Sequence, residues 1–165
     1  MRFLPALAIA TGIAAGLTSG PASAQQGCPL KNATYASAEA PTFTMTFRAD
    51  RDSQTGTSAA IAERGRWLSR HLVDLSFTYS LGYSVTYATG SSPMIDGSPG
   101  DAPLGSRIVA MTRDFRNASI ASPDGAAPYA IIIPDIGQQL YNATKHDPDR
   151  QTSIPEGAWI LSRCR

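Results

Sequence analysis

Residues 66–88, RWLSRHLVDLSFTYSLGYSVTYA, decide how the chain is read. Apolar or aromatic side chains occupy every second position: His71, Val73, Leu75, Phe77 and Tyr79, then Tyr83, Val85 and Tyr87. Arg70, Asp74, Ser76, Thr78, Ser84 and Thr86 alternate with them. A period of two belongs to strands with one dry and one wet face. Ser80-Leu81-Gly82 breaks the run where a reversal is needed, and a glycine suits a tight turn. The stretch therefore predicts a β-hairpin with its odd-numbered face buried. On that reading His71 is a satisfied, partly buried histidine, Asp74 points the other way so that the two cannot pair within the strand, and the three tyrosines are core residues.

Working outward, further strands are expected. Residues 33–37 form a short one, and 42–48, TFTMTFR, alternates with Phe43, Met45 and Phe47 inward. Residues 107–115 and 158–162 resume strand propensity. Tyr129 to Ile133, YAIII, is a β-branched run between Pro128 and Pro134, as expected of a strand covered on both faces. Residues 59–64 hold good helix formers over about one turn and fit the opening of a strand equally well. Residues 138–144 suit a short helix or 3₁₀ turn. With no long amphipathic pattern and no repeat, the fold class expected is mainly β: an antiparallel sandwich or barrel of about six to seven strands, with at most one or two short helices.

The ends carry information of another kind. Residues 1–24 have one basic residue, an apolar stretch to about Leu17 and Ala22-Ser23-Ala24 before Gln25, the pattern of a secretory signal peptide. Gln25-Gln26-Gly27 lacks the apolar residue usual three places before an acylated cysteine, which argues against lipidation at Cys28. Residues 25–165 are then one β-rich domain, secreted or periplasmic. Loss of Arg2 with the leader takes Lys plus Arg from 14 to 13, against 13 Asp plus Glu. A neutral chain gives no electrostatic reason to bind nucleic acid or an anionic membrane, and no stable membrane anchoring is expected. Arginine far outnumbers lysine and alanine is abundant, a composition that suits a bacterial genome. The two cysteines, Cys28 and Cys164, are read as a disulfide in an oxidising compartment, because two sulfurs cannot complete a tetrahedral metal site and their spacing is not that of a redox pair.

Motifs that carry chemistry are few. Asp50-x-Asp52 with Gly56 resembles a calcium loop, but the glycine is one place late and Ile61 stands where a bidentate acid is needed. There is no nucleophile elbow, no zinc-protease motif and no phosphate-cradling loop. His146 with Asp147, Asp149 and Ser153 supplies the residue types of a hydrolytic triad, which makes a periplasmic hydrolase the alternative function. No catalytic, cofactor or metal residue is assigned. Residues 89–106 are glycine, proline or serine at eleven of eighteen positions, so a long exposed loop is expected there. Its only large apolar residues, Met94, Ile95 and Leu104, are the candidates for contact with an unidentified protein or small ligand. The function expected is thus a non-catalytic domain that binds through loops.

Trp159, Cys164 and the final Arg165 resemble the close of small secreted bacterial proteins to which no activity is attached. In size, β content and cysteine use the chain is similar to small periplasmic lysozyme inhibitors, a likeness of architecture that implies no activity.

Overall fold

The structure is a computed structural model that describes residues 27–82, 85–93, 104–149 and 151–165. The expected leader, Met94 and Ile95 lie outside the described residues. Eight strands form a closed antiparallel barrel: β1 (Ala33–Ser37), β2 (Phe43–Ala49), β3 (Thr57–Arg64), β4 (Ser69–Ser80), β5 (Val85–Ser91), β6 (Leu104–Met111), β7 (Ala130–Ile132) and β8 (Ala158–Cys164). Each strand pairs with its sequence neighbour, and β8 returns to β1 through Ser37↔Trp159 and Tyr35↔Leu161. Closure leaves no sheet edge to recruit another chain. The mainly β, antiparallel class holds, the barrel being the one of the two expected architectures that forms, with eight strands in place of six or seven. The added strand is β3, residues whose helix formers gave way to full ladders with β2 and β4.

An eight-stranded barrel is just wide enough for side chains to fill its interior. Here Tyr35, Met45, Phe47, Ile61, Phe77 and Trp159 are all buried. Phe47 stacks on Phe77 with centroids 5.3 Å apart, and Tyr35 meets Phe47 edge to face at 5.5 Å. The inward positions predicted for β2 and the middle of β4 are the observed ones, since strand alternation leaves no other choice once one residue is buried.

Two departures from simple alternation change the predicted hairpin. In β4, Ile61 pairs with Val73 but Ala62 pairs with His71, so Leu72 is an extra residue and both Leu72 and Val73 are buried. This bulge turns His71 to the outer face, where its Nε2 lies 2.9 Å from Asp74 Oδ2. His71 therefore leaves the apolar face on which it was expected, and Asp74, expected to point away from it, is its partner. Second, Ser80 pairs with Val85, so four residues separate the strands and partner positions have opposite parity: Phe77 faces Ala88 and Thr78 faces Tyr87. Ala88 and Gly90 are thus buried, and Tyr87, expected in the core, is 40% exposed. Tyr83 lies outside the described residues.

The barrel's two ends are closed differently. At one end the helix α1 (Ile136–Thr144) buries Ile136, Gly137 and Leu140. A Cβ on Gly137 would sit 2.2 Å from the carbonyl oxygen of Ile154, so only glycine lets helix and following chain approach this closely. β7 is too short to cover all of β6, and α1 replaces it there: Gly105 N–H donates to Gln139 Oε1 at 2.8 Å, and Gln139 Nε2 donates to the Gly105 carbonyl at 2.7 Å. The other end carries both termini of the described chain, joined by Cys28–Cys164 with Cα atoms 5.8 Å apart.

Candidate functional site: an apolar cavity at the disulfide end

The β6–β7 connection, residues 112–129, builds the site. It begins as a tight turn around Thr112, whose N–H donates to the Arg116 carbonyl at 2.9 Å and whose hydroxyl donates to Asp114 Oδ1 at 2.6 Å. The Thr112 hydroxyl also accepts from the Arg116 N–H at 3.1 Å. Inside this turn Phe115 holds φ at 59° and is 78% exposed. A bulky residue in the left-handed region and turned to water is uncommon, and such conformations concentrate at functional positions.

Beyond the turn the chain is pinned to the barrel. Ala118 N–H donates to the Ala110 carbonyl at 2.8 Å, and Ile120 is buried. Ser122-Pro123-Asp124-Gly125 forms a turn, with Gly125 N–H donating to Ser122 O at 3.2 Å. It meets the 3₁₀ turn Leu30–Asn32 that precedes β1 through Leu30 N–H to Gly125 O and Lys31 N–H to Pro123 O, both 2.9 Å, and through a Lys31–Asp124 ion pair of 2.6 Å. From inside the barrel, Tyr35 Oη donates to the Pro128 carbonyl at 2.9 Å. Burial pushes the Tyr35 phenol far above its ordinary pKa.

Between this connection and β8 lies a cavity of about 630 Å³, lined by Ala118, Ala121, Ala127, Pro128 and Leu161 among others. That volume falls within the range that holds small organic ligands. Among the described residues Arg113 is the only charged one on its wall, and its guanidinium lies 5.2 Å from the centroid of the Tyr129 ring, which also lines the cavity. Among the described residues the wall carries no histidine, carboxylate or thiol. The cavity can hold an apolar body and offer it one cation.

The residues singled out in the sequence fall elsewhere. Residues 89–91 belong to β5 and 104–106 to β6, so the predicted loop is shorter than expected. Leu104 is 2% exposed, paired with Gly90 in the core, and is not a loop residue open to a partner. Cys28 and Cys164 form the disulfide. His146 is exposed, Ser153 is exposed, and no hydrogen bond among the described residues engages the His146 ring. Asp147 accepts from the Asp149 N–H at 3.0 Å, closing a polar turn. In the calcium-like stretch, the Asp52 N–H holds the Asp50 carboxyl below its usual pKa, and Gly56 closes the turn at φ 70°. Among the described residues no three His, Cys, Asp or Glu side chains gather to hold a metal, and no helix is long and apolar enough to cross a membrane.

The strand expected over 107–115 ends at Met111, and the residues beyond it, mostly small, lack the periodicity that would have marked a site. The one signal was Phe115 standing among Arg113, Asp114 and Arg116, too polar a neighbourhood for a core aromatic.

Fold and cavity together define a disulfide-closed, eight-stranded antiparallel barrel with an apolar recess at one end. Comparison with known protein families, with characterised proteins and with solved structures finds no match to this chain.

Proposed function

We propose that this is a secreted or periplasmic, non-catalytic binding domain that takes a small, mainly apolar ligand bearing a negative charge into the cavity beneath residues 112–129. The cavity itself carries the reading: about 630 Å³ walled by small and apolar side chains with Arg113 as the one charge among the described residues. No acidic partner holds Arg113 among the described residues, so its guanidinium is available to an anion. The disulfide fits an oxidising compartment. Loop binding on a rigid scaffold was the sequence expectation, and the supporting loop is now 112–129 rather than 89–106.

Anilinonaphthalene sulfonate, an apolar ring system with one anionic group, tests the reading. The folded protein should bind it saturably, one to one. Ala121→Trp, which fills the recess from an exposed backbone position, should lower affinity at least about tenfold with an unchanged thermal midpoint. Arg113→Gln should weaken the sulfonate but not an uncharged naphthalene. Failure to saturate, or binding indifferent to Ala121→Trp, refutes the proposal.

A further inference from the structure

The β3–β4 turn, at the end of the barrel opposite the cavity, presents a different surface. Gly65 N–H donates to the Leu68 carbonyl at 2.9 Å, and a Cβ on Gly65 would stand 2.6 Å from that oxygen. Glycine is thus required for the tight turn that carries Arg66 and Trp67 at its tip. Trp67 is 84% and Leu68 82% exposed, side by side at the end of two long paired strands. Lone exposed apolar residues are ordinary, but adjacent large ones on a rigid tip mark a contact surface.

Charge identifies the occupant. Arg64, Arg66 and Arg70 surround the apolar pair, with Glu63 as the near acid, already held by Arg70 at 2.9 Å. Arg64 and Arg66 have no acidic partner among the described residues, and the Arg66 guanidinium lies 5.2 Å from the Trp67 ring centroid. A chain of near-zero overall charge therefore carries a local excess of cations around its most exposed tryptophan. Tryptophan with arginine is the composition that settles at a membrane–water interface. Two apolar residues offer far less than the roughly 800 Å² per partner that a stable protein interface buries. A lipid surface needs no such complementary shape.

The geometry points to reversible docking of this tip on an anionic lipid bilayer, with Trp67 and Leu68 entering the interface and Arg64 and Arg66 facing lipid phosphates. Such a contact is weaker than an anchor, and it is independent of the cavity at the far end.

Tryptophan fluorescence tests it directly, because the second tryptophan, Trp159, is buried. Vesicles of equimolar phosphatidylcholine and phosphatidylglycerol should shift the emission of the full protein to the blue, and Trp67→Ser should abolish the shift. Arg64→Gln and Arg66→Gln should each weaken vesicle binding about fivefold. Added salt should release the protein. No shift on these vesicles overturns the proposal. So does an equal shift on pure phosphatidylcholine, or cosedimentation that survives Trp67→Ser with Leu68→Ser. All four positions are exposed turn or strand-end residues, so unchanged circular dichroism is expected for each variant.

Discussion

Tyr35 shows how a single side chain ties the barrel to its candidate site. Its ring packs against Phe47 within the core, while its hydroxyl reaches the Pro128 carbonyl on the connection that roofs the cavity. Because burial disfavours the phenolate, the folded-state pKa stands above the ordinary value of 10.0. The sign follows from linkage: the stabilisation is intact below the unfolded pKa and is lost as pH rises past it, since the unfolded chain then ionises more readily. In an ultraviolet titration of the six tyrosines, one should ionise only as the fold is lost in strong alkali, and Tyr35→Phe should remove that late step. The same substitution should cost about 1 to 3 kcal/mol at neutral pH, by leaving the Pro128 carbonyl without its donor. Simultaneous ionisation of every tyrosine in the native protein would contradict the buried placement.

Among the elements, β4 sets the register of its neighbours. Leu72 as an extra residue lets one strand bury two successive side chains and still send His71 and Asp74 outward together. Nothing in the local alternation announces a bulge, because the residue types on either side of Leu72 suit both registers. The four-residue link from Ser80 to Val85 likewise reverses the parity of β5, which a reading that carries alternation straight through the turn assigns wrongly. Downstream of the bulge the register is unambiguous and measurable. Val73→Asp should cost about 3 kcal/mol or more, by placing an unpaired charge among Ile61, Leu75 and Gly90. Ser76→Asp, on the wet face, should change stability by about 0.5 kcal/mol or less. Equal midpoints in a urea titration would show that the register is different.

For the molecule as a whole, the Cys28–Cys164 bridge spans 136 residues of sequence and fastens the two ends of the described chain beside the cavity. In the chain-entropy account a loop of that size stabilises the fold by about 5 kcal/mol at most. Reduction should therefore lower the denaturation midpoint and loosen the end that carries residues 112–129 before the end capped by α1. Hydrogen exchange with and without reductant can rank the two ends, and thiol counting on denatured, unreduced protein should find no free cysteine. Two free thiols, or loosening confined to the α1 end, would overturn this account.

What the residues alone determined was local in origin: period-two alternation, proline and glycine punctuation, scarcity of helical periodicity and a single cysteine pair. These specified an antiparallel β domain, the inward faces of β2 and most of β4, and the disulfide. Tertiary structure decided whatever depends on distant segments meeting. Barrel closure rests on β8 reaching β1, the strand identity of β3 on ladders that outweigh weak helix propensity, and the exposure of His71 and Tyr87 on register shifts. The cavity belongs to this second group. Its walls draw on Gly27, on residues between Thr112 and Tyr129 and on Leu161, mostly small residue types that show no pattern in sequence until closure of the barrel sets them, with Arg113 and Tyr129, around a common space.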